Sequence, residues 1–196
     1  MQNSLRCFIA LEIPEEIQKS LVKVIIMAQL IPANGFRPVR SGMVHVTLKF
    51  LGDTPQSTIP EIEQILSQIA DSQTAFQLQI KGLGAFASWD HPRTVWAGLA
   101  YPPELRDLTA QINKQIEPLG FPVDNHPFSP HLTLARVQKG ADFTQVMQRI
   151  EVLRQNSNLV FGNISVTRLV LFQSLLQRGG SIYSPIYTHN FSGRKV

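Results

Sequence analysis

The segment HVTLKFLG, from His45 to Gly52, has a close counterpart in HLTLARV, from His131 to Val137. Both are predicted to be strands because they are rich in β-branched and apolar residues, and both begin with His-x-Thr-Leu. Since alternate side chains of a strand point to the same face, each segment places a histidine and a threonine on one face and its leucines on the other. Each strand is therefore predicted to have an apolar face packed on helices and a polar face lining a cleft. On this alternation Val46, Leu48 and Phe50 share the packed face.

Strands and helices alternate in the same order in both halves of the chain. The predicted strands are Leu5 to Ile13, Val44 to Leu51, Phe76 to Ile80, Thr94 to Leu99, His131 to Val137, Leu159 to Val166 and Leu169 to Leu175. Apolar residues at a spacing of three and four predict four helices, three of which begin near a Pro-Glu pair, at Pro14, Pro60 and Pro103, while the fourth follows Asp142. We therefore expect residues 1–196 to form one bilobal α+β domain, with an internal repeat over about 5–85 and 93–166 and a C-terminal hairpin at 168–188 that extends one sheet.

Composition narrows the class of protein. The chain has 196 residues, 43% of them hydrophobic and 16% charged, which predicts a folded protein rather than a disordered or coiled-coil one. The formal net charge of +4 gives a mild preference for anionic partners. Cys7 is the only cysteine, so the chain forms no internal disulfide and no cysteine-cluster zinc site, which fits a reducing compartment. No run reaches the about 18 apolar residues of a membrane span, and we expect a soluble cytoplasmic protein.

Two histidines and two threonines on facing strands suit phosphoryl chemistry. Because the ordinary pKa of histidine is about 6.5, one imidazole can act as a neutral base while the other acts as a protonated acid near neutral pH. Threonine hydroxyls can donate hydrogen bonds to the non-bridging oxygens of a phosphate held between the two rings. The repeated motif therefore predicts that His45, His131, Thr47 and Thr133 form an active site for an anionic substrate, with no metal.

Other residues are weaker candidates for substrate contacts. Cationic side chains that suit phosphates are Arg6, Arg93, Arg136 and Lys49. Aromatic side chains that could stack a base are Trp89, Trp96, Phe50 and Phe128, although core packing is the better interpretation of Trp96 because it lies in a strand-like run. Asp124, His126 and His131 lie close in sequence, but their spacing matches no metal motif and two prolines indicate an irregular loop, so we predict no metal site there.

The chain resembles the 2H phosphoesterases, and within them the LigT-like RNA 2′,3′-cyclic phosphodiesterases formerly called 2′-5′ RNA ligases. Besides the two His-x-Thr motifs, the resemblance is carried by RCFIALEIP from Arg6, PRTVWAGL from Pro92, FSPHLTLAR from Phe128 and LFQSLL from Leu171, with Gly180 and Tyr183 beyond. It implies two α+β lobes, each an antiparallel sheet backed by helices, around a central cleft.

The resemblance also implies roles and a reaction. His45 would be the proton donor and His131 the proton acceptor, while Thr47 and Thr133 would bind the phosphate. The implied substrate is an RNA or nucleotide 2′,3′-cyclic phosphate, which is hydrolysed to a 2′-phosphate. We expect the protein to be a monomer that uses no metal and no cofactor. His126-Pro127-Phe128 stands where members often have Arg-Pro-Phe, so the arginine contact would either be absent or be supplied by Arg136 or Arg93. Two alternatives stay open: 2′-5′ RNA ligation by the reverse reaction, and a non-catalytic module that binds RNA ends.

Overall fold

A computed structural model describes residues 4–31, 35–40, 42–123, 127–138, 141, 144–155, 160–177 and 180–193. The strands are β1 (Ser4–Glu12), β2 (Phe36–Pro38), β3 (His45–Pro55), β4 (Phe76–Phe86), β5 (Thr94–Leu99), β6 (His131–Val137), β7 (Val160–Val166), β8 (Arg168–Gln177) and β9 (Gly180–Asn190). The helices are α1 (Glu15–Met27), α2 (Ile59–Ser72), α3 (Pro103–Ile116) and α4 (Thr144–Gln155). Short 3-10 helices follow β3 and α3, at Gln56–Thr58 and Glu117–Leu119. In these ranges no helix is both long and apolar enough to cross a bilayer.

The strands form two antiparallel sheets. The first sheet has the order β3-β1-β8-β9, and the second sheet has the order β2-β6-β5-β4-β7. Helices α2 and α3 pack on strands of the first sheet, and α1 and α4 pack on strands of the second. The main apolar core lies between the sheets and these helices, which leaves the opposite sheet faces to line the cleft. The expected α+β class, with two helix-backed antiparallel sheets, is confirmed.

Each sheet draws strands from both halves of the sequence. Strand β4, which comes from the first half, pairs with β5 in the second sheet, while β8 comes from late in the chain and pairs with β1 in the first sheet. Helix α1 follows β1 in sequence but packs on β6 and β7 of the other sheet. The lobes are therefore interleaved rather than sequential, and β3 and β6 lie directly against each other.

Strand β4 is longer than the apolar pattern predicts. The prediction ends at Ile80, but the strand continues to Phe86 through a bulge in its pairing with β5 between Ile80 and Leu83. Gly84 in this extension lies under the ring of Trp96, where an added Cβ would come within 2.0 Å of a ring carbon. The glycine is therefore required for close packing of this ring on β4. Strand β2 is not predicted at all, because three residues are too short to show a period.

Lys49 is buried in the core and does not face the cleft. Its side chain is 1% exposed, and Nζ donates hydrogen bonds to Asn113 Oδ1 at 2.8 Å and to the Pro122 carbonyl at 2.9 Å. These contacts tie β3 to α3 and to the segment that follows it. The suggestion that Lys49 binds phosphate is wrong.

Replacing Lys49 by methionine is expected to lower the free energy of unfolding by about 1–3 kcal/mol, because the Asn113 and Pro122 oxygens lose their buried donor. Denaturant unfolding measures this loss, and Lys81→Met, at an exposed position of β4, is the control that should change little. The folded Lys49→Met protein should keep the kcat/KM of the wild type. A loss of kcat/KM with unchanged stability would mean that Lys49 acts on substrate after all.

Candidate active site

The two His-x-Thr motifs lie at the beginnings of the contacting strands β3 and β6. His45 and Thr47 are half-buried in the first sheet, and His131 and Thr133 are half-buried in the second. The main core buries the apolar residues that alternate with them, which are Val46 and Leu48 in β3 and Leu132 and Leu134 in β6. In the described part of the chain neither threonine hydroxyl has a hydrogen-bond partner, so both are available to a ligand.

Both histidine rings make the same hydrogen bond to the backbone. His45 Nδ1 lies 2.8 Å from the Met43 carbonyl oxygen, and His131 Nδ1 lies 2.8 Å from the Ser129 carbonyl oxygen, in each case two residues back along the chain. Because a carbonyl only accepts, Nδ1 of each ring must carry a proton. Nε2 of each ring is then the atom left to gain or lose a proton.

Aromatic side chains surround both rings. The His45 ring lies 4.8 Å from Phe8 and 5.0 Å from Tyr183, which meets it edge-on. The His131 ring lies 4.7 Å from Phe86, also edge-on. These neighbouring aromatic rings restrict the orientation of the two imidazoles and exclude water from around them.

The sequence predicts no role for Phe8 or Phe86, and it predicts that Trp96 lies in the core. Trp96 is half-buried on the cleft side of β5, with its ring centre 6.1 Å from that of His131. Phe8 lies in a strand that is apolar on both faces, so alternation could not distinguish its cleft side from its core side. Phe86 lies beyond the predicted end of its strand. Tyr183 belongs to the segments that carry the family resemblance, which predicts no role for it.

Burial lowers the pKa of both histidines. For His45 the pKa falls from 6.5 to about 4, chiefly because burial disfavours the charged ring; the Met43 hydrogen bond opposes this change, and the nearby charges of His131 and Arg136 add to it. Burial also lowers the pKa of His131, with a further contribution from Arg136. The two rings therefore interact electrostatically, and Arg136 acts on both. A pKa below 6.5 leaves each ring mostly neutral at pH 7.

A matching β-bulge follows the motif in both strands. Where β3 pairs with β1, the register skips Leu48, and where β6 pairs with β5 it skips Leu134. Each bulge puts two successive residues on the core side and so reverses the alternation beyond it. Phe50 and Arg136, which follow at equivalent positions, consequently point out of the core, and Phe50 is 65% exposed. The prediction that Phe50 packs with Val46 and Leu48 is wrong for this reason.

The other residues predicted as candidates for substrate or metal contacts lie in different parts of the structure. Arg6 is exposed, on the same face of β1 as Phe8. Arg93 is exposed just before β5, and its carbonyl accepts a hydrogen bond from the Val137 N–H. Phe128 packs on the main core with its ring 5.5 Å from that of Tyr101, and Trp89 packs partly on the same core. Asp124 and His126 lie outside the described residues, and within those described no three His, Cys, Asp or Glu side chains form a cluster able to hold a metal ion.

A cavity of about 380 Å³ opens beside His45. Phe172 and Tyr183 line it next to the histidine, and the ion pair between Arg168 and Glu12 lines it at the end of β1. It reaches the beginning of α1 and is large enough for part of a nucleotide.

Two interleaved sheets that each present a His-x-Thr strand to one cleft define a bilobal α+β protein, and the two motifs are its candidate active site. Residues 13–177 match the profile of the 2′-5′ RNA ligase superfamily, and the chain belongs to that superfamily.

Named relatives are similar over most of the chain. An RNA 2′,3′-cyclic phosphodiesterase of Aeropyrum pernix is 34% identical over 144 residues, which are 73% of this chain and 79% of the relative. The corresponding protein of Archaeoglobus fulgidus is 29% identical over 93% of this chain and 98% of its own length. Among solved structures, TT0787 of Thermus thermophilus matches with a TM-score of 0.80 and 26% identity, covering 97% of this chain and all of its own. E. coli LigT complexed with 3′-AMP shares the fold, with a TM-score of 0.76 and 24% identity over 97% of this chain and 99% of its own.

Proposed function

We propose that this protein hydrolyses 2′,3′-cyclic phosphate ends of RNA, or of nucleotides, to 2′-phosphates. The observation that carries the proposal is the matched pair of imidazoles, each fixed by an Nδ1–H bond to a carbonyl so that Nε2 alone exchanges protons. The phosphodiesterase names of the relatives support the same substrate class.

The reaction assigns one proton transfer to each histidine. Nε2 of neutral His131 takes a proton from a water molecule as its oxygen bonds to phosphorus, and the bond from phosphorus to O3′ breaks. Nε2 of protonated His45 gives its proton to O3′, which leaves the phosphate on O2′. Because the two imidazoles supply both the acid and the base, the proposed mechanism needs no metal and no cofactor. Burial lowers the pKa of His45 in the free protein, and the negative charge of a bound phosphate opposes this change and favours the protonated ring that the step needs.

Three further side chains act on the phosphate in this proposal. The hydroxyls of Thr47 and Thr133 donate to its non-bridging oxygens, and they do so without losing an existing bond in the described structure. Arg136, turned out of the core by the bulge at Leu134, attracts the anion. Its charge lowers the pKa of both histidines in the free protein, and the bound phosphate offsets this effect.

The pH dependence of kcat/KM is expected to be bell-shaped, with its maximum on the acid side of pH 6.5. The active form has one protonated and one neutral histidine, and in the free protein the pKa of His45 is about 4 while that of His131 is also below 6.5.

Substituting Arg136→Gln removes a positive charge that lowers both pKa values, so both limbs of the pH profile should move to higher pH. Rates from pH 3.5 to 9 test this, and a flat profile or a shift to lower pH would count against the paired-histidine mechanism.

Hydrolysis and ligation differ only in whether water or an RNA 5′-hydroxyl attacks the phosphorus. The superfamily's name makes ligation the second candidate. The test supplies a short RNA with a 2′,3′-cyclic phosphate, with and without excess 5′-hydroxyl RNA, and separates the products by length. We expect hydrolysed RNA in both reactions. A joined product that dominates with the acceptor would establish ligation, and RNA binding without any product would indicate a non-catalytic module that binds RNA ends.

A further inference from the structure

Gln18 is a buried polar residue whose side chain joins two backbone segments. It lies on α1 and is 8% exposed. Its Nε2 donates a hydrogen bond to the Ile13 carbonyl at 2.9 Å, and its Oε1 accepts one from the Gly42 N–H at 2.6 Å. The amide thus fastens the chain before β3 to the end of β1.

The segment that Gln18 fastens includes the carbonyl that orients His45. Gly42 directly precedes Met43, whose carbonyl oxygen accepts the His45 Nδ1–H bond. The Met43 N–H donates to the Arg40 carbonyl at 3.0 Å, which closes a tight turn. Gly42 has a φ of +83°, a left-handed conformation that only glycine adopts without strain. One side chain therefore fixes the turn from which the His45 ring is held.

We propose that Gln18 is a positioning residue for His45. By holding Gly42, it places the Met43 carbonyl so that Nδ1 keeps its proton and Nε2 stays the exchanging atom. The catalytic consequence rests on the proposed function. The effect on the His45 ring does not depend on it.

His131 provides an internal control because its carbonyl is held differently. Ser129 lies between Pro127 and Pro130, whose rings restrict the backbone. In the described part of the chain no side chain hydrogen-bonds to the backbone of this segment other than the His131 ring itself. Loss of the Gln18 amide should therefore disturb His45 and leave His131 unchanged.

The test is Gln18→Met, which keeps the length of the side chain but removes both hydrogen bonds. In ¹⁵N-histidine-labelled protein, the Nδ1–H signal of His45 should be lost or shifted toward a mixture of tautomers, while the His131 signal stays as in the wild type. On a 2′,3′-cyclic nucleotide, kcat should fall about 10- to 100-fold with KM changed less than about threefold, because a misplaced ring costs rate more than binding.

Two further variants separate positioning from general loss of stability. Thr109→Val removes another buried hydrogen bond, from Thr109 Oγ1 to the Leu105 carbonyl at 2.7 Å in α3, and should leave both histidine signals unchanged. In Gln18→Glu, a protonated carboxyl can both donate to Ile13 and accept from Gly42, so at a pH where this carboxyl is protonated the His45 signal and kcat should match those of the wild type at the same pH.

The proposal is overturned if folded Gln18→Met keeps the wild-type His45 signal, or if His45 and His131 change together. If Gln18→Met does not fold, Gln18→Glu decides: the His45 signal must weaken as the introduced carboxyl ionises, and a constant signal overturns the proposal. If the wild type turns over no cyclic phosphate, the proposed function fails, but the spectra still test the positioning.

Discussion

Replacing His45 or His131 by alanine is expected to lower kcat/KM for a 2′,3′-cyclic nucleotide by about 10²–10⁴-fold, the usual contribution of one general acid or base. Each ring is the only assigned carrier of one of the two protons, and each is fixed by its own carbonyl. His91→Ala is the matched control, since His91 is exposed in the turn before β5. Steady-state rates check this prediction, and either variant within tenfold of the wild type would remove that histidine from the mechanism.

The double variant distinguishes a cooperating pair from two independent groups. When one proton transfer is lost, the other has less to contribute, so the loss in the double variant should be smaller than the product of the single losses. Full multiplicative loss would mean that the rings act independently.

The donor and acceptor roles can be separated with a substrate that carries sulfur in place of O3′. A thiolate leaves without needing a proton, so His45→Ala should recover much of its lost rate on this substrate. His131→Ala should not recover, because its water still has to lose a proton. The reverse pattern would exchange the two roles.

Replacing Thr47 or Thr133 by valine is expected to lower kcat/KM by about 10²-fold, the typical cost of removing one donor to transition-state charge. Valine keeps the shape of threonine and its preference for strands, so the unfolding free energy should change little. The serine variants keep the hydroxyl and should retain most activity, which makes them the controls. A valine variant that keeps the wild-type kcat/KM would contradict the proposed contact between that hydroxyl and the phosphate, and equal losses with valine and serine would mean that the hydroxyl alone does not account for the loss.

The sequence predicted the sheets, the helices and the paired motifs because periodicity and repetition report local structure. It could not predict the interleaving of the lobes, since the pairings of β8 with β1 and of β4 with β7 join distant parts of the chain. It also missed β2, whose three residues carry no period.

The two bulges are the reason why the sequence alone could not predict which residues after each motif face the cleft. Strict alternation assigns Phe50 to the core and leaves Lys49 free to meet a phosphate, and the extra residue at Leu48 reverses both assignments. The same displacement at Leu134 turns Arg136 out of the core, as alternation alone would not. A bulge depends on the partner strand, and one sequence read by itself does not show it.

The most direct test of the paired-histidine mechanism follows the reaction of a 2′,3′-cyclic nucleotide by phosphorus NMR, after dialysis and in excess EDTA. We predict that the cyclic phosphate signal is replaced by that of the 2′-phosphate, at a rate that EDTA does not change. A 3′-phosphate product would contradict the assigned leaving group. Turnover that appears only after a divalent metal is added would contradict the assignment of both proton transfers to His45 and His131.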